Sequence, residues 1–135
     1  MPPHLSEVVE RLGGEAIRAS YDEAVSSAGG LGSLIRQVNA VSDRRLDGAD
    51  LAVSDVDAWL AGVPIDGESK VTVLWPFDRL AVSIPYRLFR ERFEDLWQPS
   101  SDDVVVIEHD GDVANVLVID HEEQFTFASI AGSAR

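Results

Sequence analysis

Apolar residues recur at helical spacing through the first half of the chain. Segments 4–12, 15–28 and 33–41 each place apolar side chains on one stripe, and glycines separate the segments. A fourth, shorter helix is predicted to begin near Ser54, with Trp59 as an anchor. Because all four helices are short, we expect packing against another layer to stabilise them.

After a polar connection at residues 62–69, the period changes from helical to alternating. Residues 70–75 and 79–84 predict a β-hairpin. Pro85 is typical of a first helical position, and an aromatic stripe follows it. The stripe consists of Tyr86, Phe89, Phe93, Leu96 and Trp97. We expect the stripe of this helix to be buried in the core. Trp59, Trp75 and Trp97 are also expected to be largely buried.

Three more strands are predicted near the end of the chain, at residues 103–108, 115–119 and 124–130. The dipeptide Asp110-Gly111 predicts a tight turn between the first two. The whole chain, residues 1–135, is predicted to be one α+β domain. Its helical part, residues 1–62, is expected to pack on a mostly antiparallel sheet of four or five strands. That sheet is built from residues 70–135, with one helix inserted after its second strand.

Charge narrows the range of partners. The chain has 24 acidic and 11 basic residues and a net charge of -13. Such a surface repels nucleic acid and anionic membranes, and it attracts a basic protein most strongly at low salt. We therefore expect a basic protein partner, such as a toxin or an enzyme, and neither nucleic acid nor membrane.

The chain contains no cysteine, which excludes disulfides, thiolate nucleophiles and zinc–thiolate sites. Its first residues, Met1 to Leu5, show no basic segment followed by an apolar stretch. No apolar run approaches the length that crosses a membrane. These features favour a cytoplasmic protein.

Imidazoles and carboxylates gather near two predicted strand ends, around His109 and His121. If the two ends met, they would offer ligands for a metal such as zinc or a His–carboxylate pair for acid–base catalysis. The members are Glu108, His109, Asp110, Asp112, Asp120, His121, Glu122 and Glu123. Neither a His-Glu-x-x-His nor a His-x-His motif is present, and acidic residues are ordinary in polar turns. The turn interpretation is favoured, and a small metal-dependent hydrolase using His109 and His121 is an alternative.

The C-terminal half contains the pattern Trp97-Gln98-Pro99-Ser100-Ser101-Asp102-Asp103, followed by His121-Glu122-Glu123. This pattern resembles one found in small bacterial proteins, some of which are associated with toxin-immunity loci. The resemblance implies an inhibitor that binds a cognate toxin.

Acidity, small size and this resemblance together favour an immunity protein that neutralises a toxin by stoichiometric binding. No catalytic residue, metal or cofactor is expected. The carboxylates predicted to bind the partner are Asp102, Asp103, Asp110, Asp112, Glu122 and Glu123. A structural or oligomerisation module is a third hypothesis, and both a monomer and a dimer are compatible with the sequence.

Overall fold

The structure, a computed structural model, describes residues 10–42, 44–48, 51–96, 103–120 and 122–131. The strands form one antiparallel sheet in the order β1-β4-β3-β5-β6-β7-β2. A 3₁₀ turn at Gly13–Glu15 precedes β1. In chain order the elements are β1 (Ile17–Ala19), α1 (Tyr21–Ser27), α2 (Leu31–Val41), β2 (Arg44–Asp47), α3 (Val53–Gly62), β3 (Lys70–Trp75), β4 (Leu80–Pro85), α4 (Tyr86–Glu91), α5 (Phe93–Leu96), β5 (Val104–Asp110), β6 (Val113–Ile119) and β7 (Gln124–Ala131).

The sheet corrects the prediction of four or five strands, because it contains seven. The two additional strands, β1 and β2, come from the half predicted to be helical, and they form opposite edges of the sheet. Both are short and mostly exposed, so they carry no alternation of apolar and polar residues. Helix α1 begins only after β1, where the Ser20 hydroxyl accepts a hydrogen bond from the Glu23 N–H at 3.2 Å.

The five strands predicted from residue 70 onward are confirmed, whereas the single helix predicted after the second of them is two short helices, α4 and α5, separated at Arg92. Strands β3 and β4 form the predicted hairpin, and β5, β6 and β7 follow as a meander. Gly111 adopts a φ of 62° in the β5–β6 turn, which explains why the Asp110-Gly111 dipeptide predicted it. The structure is thus an α+β fold. Most of segment 4–12 and Trp97 lie outside the described residues.

Helices cover both faces of the sheet. On one side, which we call the aromatic face, α3, α4 and α5 pack on buried strand residues that include Trp75 and Phe125. The predicted aromatic stripe is buried here: Tyr86 and Phe89 stack with ring centroids 6.1 Å apart, and Phe89 meets Phe93 at 5.7 Å. The core interpretation of the stripe is therefore confirmed for the described residues.

The other side, the aliphatic face, carries smaller side chains. Leu34 and Val38 of α2 pack there on strand residues such as Leu74, Val105 and Val116. Because both faces are covered, the inner strands contain consecutive buried apolar residues, such as residues 80–82 of β4 and 104–107 of β5. Within the part of the chain that the structure describes, no helix has both the length and the apolar character needed to span a membrane.

Candidate functional site

Three chain segments meet at one end of the sheet, where β3 turns into β4, β5 begins and β6 turns into β7. We call this the acidic end, after Asp103, Asp120, Glu122 and Glu123. Antiparallel pairing places the starts and ends of neighbouring strands side by side, at about 4.8 Å per strand. The fold therefore collects carboxylates that are separated along the chain.

Asp120 shapes the β6–β7 turn at this end. Its Oδ1 accepts hydrogen bonds from the N–H groups of Glu122 at 2.9 Å and Gln124 at 3.0 Å. Glu123 adopts a φ of 64°, and its N–H donates to the Asp120 carbonyl. Asp120 is thus explained by turn formation, as the polar-turn interpretation predicted. Glu122 is exposed.

The β3–β4 turn presents an aromatic side chain at the same end of the sheet as these carboxylates. Phe77 is 86% exposed, the most exposed large apolar residue among those described. The turn is held by backbone hydrogen bonds from Asp78 to Trp75 and from Arg79 to Pro76. The Arg79 guanidinium pairs with Asp22 and lies 5.1 Å from the centroid of the Tyr21 ring. Phe77 was not among the residues predicted to bind a partner, although its position at the tip of a predicted hairpin indicated exposure.

The six carboxylates predicted to bind a partner do not share one place. Asp103, Glu122 and Glu123 lie at the acidic end, whereas Asp110 and Asp112 lie at the β5–β6 turn at the opposite end. The length of β5 separates the two groups by roughly 20 Å. Asp102 lies outside the described residues.

The histidines of the hydrolase hypothesis are placed differently. His109 is exposed near the β5–β6 turn and lines a cleft of about 410 Å³ with Ser33, Gln37 and Asp112. His121 lies outside the described residues, and its chain neighbours Asp120 and Glu122 are at the acidic end. Among the described residues, no group of three or more His, Cys, Asp and Glu side chains could hold a metal ion.

Glu108 belongs to a buried polar row on the aromatic face and not to a turn. Its side chain is 8% exposed and accepts a hydrogen bond from the Asn115 Nδ2 at 2.6 Å. The Ser129 hydroxyl donates to the Asn115 Oδ1 at 2.5 Å, which extends the row across three neighbouring strands. These hydrogen bonds offset the cost of burying Glu108 and Asn115, and Ser129 continues the row to an exposed position.

A larger cleft, of about 640 Å³, lies between α3 and α4 and carries charges of both signs. Arg87 pairs there with Glu15 and Glu68, and its hydrogen bond with Glu15 raises the pKa of the guanidinium. Arg90 lies 3.6 Å from Asp57. Both arginines are thus paired with carboxylates, and Glu91 and Glu94 also line the cleft, so it holds more acidic than basic side chains.

No family model, curated protein or solved structure matches the chain. The resemblance to proteins of toxin-immunity loci therefore stays a prediction.

Proposed function

We propose that this protein is a stoichiometric inhibitor of the immunity kind, which binds a basic toxin or enzyme and covers its working surface. The acidic end, together with Phe77, is the proposed binding surface. Binding needs no chemistry by this chain, because inhibition follows from occlusion.

The exposure of Phe77 carries this proposal. Burying a phenylalanine side chain stabilises a folded protein or a complex by about 1.5–3 kcal/mol, and an exposed side chain makes no such contribution. Aromatic side chains surrounded by polar groups are typical centres of protein–protein interfaces. A partner that covers Phe77 would place its own side chains next to Asp103 and Glu122 at the rim.

Charge supplies the preference for a basic partner. The net charge of -13 produces long-range attraction that speeds encounter, and the carboxylates of the acidic end select Lys and Arg at close range. Lys and Arg surfaces are what a nuclease or other enzyme uses to hold an anionic substrate. An acidic inhibitor would compete directly with such a substrate.

The first experiment isolates the tagged protein from its source cells at low and moderate salt and identifies any protein retained in equal amounts. We expect one basic protein that is toxic when produced without this chain. A retained partner that is harmless alone would overturn the immunity role but not the binding surface. Retention of no protein would overturn both.

The second experiment measures the affinity of that partner for Phe77→Ala. We expect a loss of roughly tenfold to a hundredfold, which corresponds to the burial of one aromatic side chain. Ile17→Ala is the matched control, because Ile17 is 58% exposed on β1 and outside the acidic end. Equal effects of the two substitutions would show that Phe77 is not the anchor.

A third experiment separates the two groups of predicted carboxylates. The triple variant Asp103→Asn, Glu122→Gln, Glu123→Gln should slow association at low salt, and the difference should shrink as salt increases. The double variant Asp110→Asn, Asp112→Asn controls for general loss of charge. A larger effect of the double variant would move the binding surface to the β5–β6 turn.

A further inference from the structure

Strand β2 forms one edge of the sheet, away from the acidic end's Phe77 turn. On its inner side, β2 pairs with β7 from Arg44 opposite Phe127 to Asp47 opposite Gln124. An edge strand of four residues without proline offers backbone groups to another strand.

The backbone hydrogen bonds show which residues face outward. The Gly48 N–H donates to the Glu123 carbonyl at 2.8 Å, so Gly48 and Glu123 form a hydrogen-bonded pair of the ladder, joined by one bond because the Glu123 N–H donates to the Asp120 carbonyl. Because such pairs alternate along an antiparallel ladder, Leu46 and Arg44 also direct their backbone groups toward β7. Arg45 and Asp47 therefore direct their N–H and C=O groups away from the sheet.

Arg45 and Asp47 have side chains of opposite charge on the same face of β2, and both residues are exposed. The Arg45 Nη2 donates to the Asn39 carbonyl at 2.8 Å, which leaves further N–H donors on the guanidinium. Asp47 Oδ1 accepts from the Gln124 Nε2 at 3.0 Å, and the negative charge of Asp47 is on an exposed residue.

We propose that two copies of this chain pair through β2 as a symmetric antiparallel dimer. The register places Arg45 opposite Asp47 of the second copy, Asp47 opposite its Arg45, and the two Leu46 residues opposite each other. Sliding the strands by two residues in either direction would instead oppose Arg45 to Arg45 or Asp47 to Asp47. Opposite charges across strands stabilise pairing and like charges oppose it, so charge selects this register.

Apolar surface supports the same edge. Two of the five exposed large apolar residues among those described flank β2 in the chain: Val41, 59% exposed, and Leu51, 39% exposed. Leu46 already packs against the core of the aromatic face, so contact with the second Leu46 would continue that core across the dimer interface. The result is one sheet with seven strands from each copy, whose two acidic ends point in opposite directions.

The first test follows molecular mass by light scattering from low micromolar to millimolar protein. Moderate salt is used because it screens the repulsion between two chains of charge -13. We expect the mass to rise toward twice that of one chain. A constant monomer mass would overturn the proposal and would identify the arginines of β2 as charges that protect the edge from pairing.

Charge reversal tests the register. Arg45→Glu and Asp47→Arg should each weaken dimerisation roughly tenfold or more, whereas an equimolar mixture of the two variants should dimerise, because each 45–47 pair is then attractive. Arg18→Glu on β1 makes the same charge change at the other edge and should leave the dimer intact. Failure of the mixture to recover would overturn this register.

Cross-linking provides a test that does not depend on charge. The chain has no cysteine, so Leu46→Cys introduces one thiol, which oxidation should join rapidly to its copy across the dimer axis. Ile17→Cys on β1 is the control and should cross-link only slowly. Similar rates would overturn the proposal. The dimer uses neither Phe77 nor Asp103 and Glu122, so its failure would leave the proposed function intact, and the reverse also holds.

Discussion

The two faces of the sheet are covered by helices from different parts of the chain. On the aromatic face, α3, α4 and α5 lie close to β3 and β4 in sequence and bring large rings into contact. On the aliphatic face, α1 and α2 pack on strands that follow much later, and small residues such as Ala81 and Ala128 allow close approach. The aromatic face therefore contains the larger core with the buried rings, whereas the aliphatic face buries fewer and smaller side chains.

The largest expected effect breaks the aromatic face at its centre. Phe89 is fully buried between Tyr86 and Phe93, and Phe89→Ala should lower the free energy of unfolding by about 3–5 kcal/mol. Denaturation in urea measures this loss. Phe77→Ala removes the same side chain from an exposed position and should change stability by less than about 0.5 kcal/mol. Equal losses would refute the assignment of the core.

A smaller effect is expected from the aliphatic face. Leu34→Ala in α2 should lower the free energy of unfolding by about 2–4 kcal/mol, because a buried leucine loses fewer contacts than a buried phenylalanine when it is truncated to alanine. The control is Val41→Ala in the same helix, where the side chain is exposed. If Leu34→Ala cost more than Phe89→Ala, the proposed contrast between the faces would be wrong.

The third prediction concerns the contact between β2 and the aromatic face. A Cβ at Gly48 would lie 2.7 Å from the Phe125 Cε1 and 3.0 Å from the Glu123 carbonyl oxygen. Gly48→Ala should therefore destabilise the protein by about 1–3 kcal/mol, measured by thermal unfolding. Gly62→Ala, where an added Cβ meets nothing within 4 Å, should be neutral or slightly stabilising.

The smallest expected effect is on the aromatic face and concerns how stability depends on pH. The Tyr86 hydroxyl donates to the Leu60 carbonyl at 2.8 Å, and burial raises the pKa of Tyr86 above its ordinary value of 10.0. Above pH 10 the unfolded chain releases the phenol proton while the folded protein retains it, so stability falls as pH rises. Tyr86→Phe should cost about 1 kcal/mol at neutral pH and should lessen this alkaline loss. An unchanged alkaline slope would contradict the assignment.

Prediction from sequence succeeded where one side chain pattern repeats over many residues. The alternation of residues 70–75 and the aromatic stripe after Pro85 reflect burial, and burial constrains residue type directly. Residues Ile17–Ala19 were predicted to be helical, and this was wrong. They form an exposed edge strand that pairs through its backbone, so burial leaves no pattern of residue types there. The candidate site shows the same limit. Its acidity could be predicted from composition, whereas the position of Phe77 at the same end of the sheet could not.

The sequence by itself determined the strong elements, the absence of cysteine chemistry and the excess of negative charge, because each depends on local spacing or on composition alone. Only the tertiary structure decided that β1 and β2 close the two edges of the sheet and that helices cover both of its faces. It also separated Asp103 from Asp110 by the length of β5 and placed Phe77 at the same end of the sheet as the β6–β7 turn. These arrangements depend on pairing between residues far apart in the chain, which local patterns do not encode.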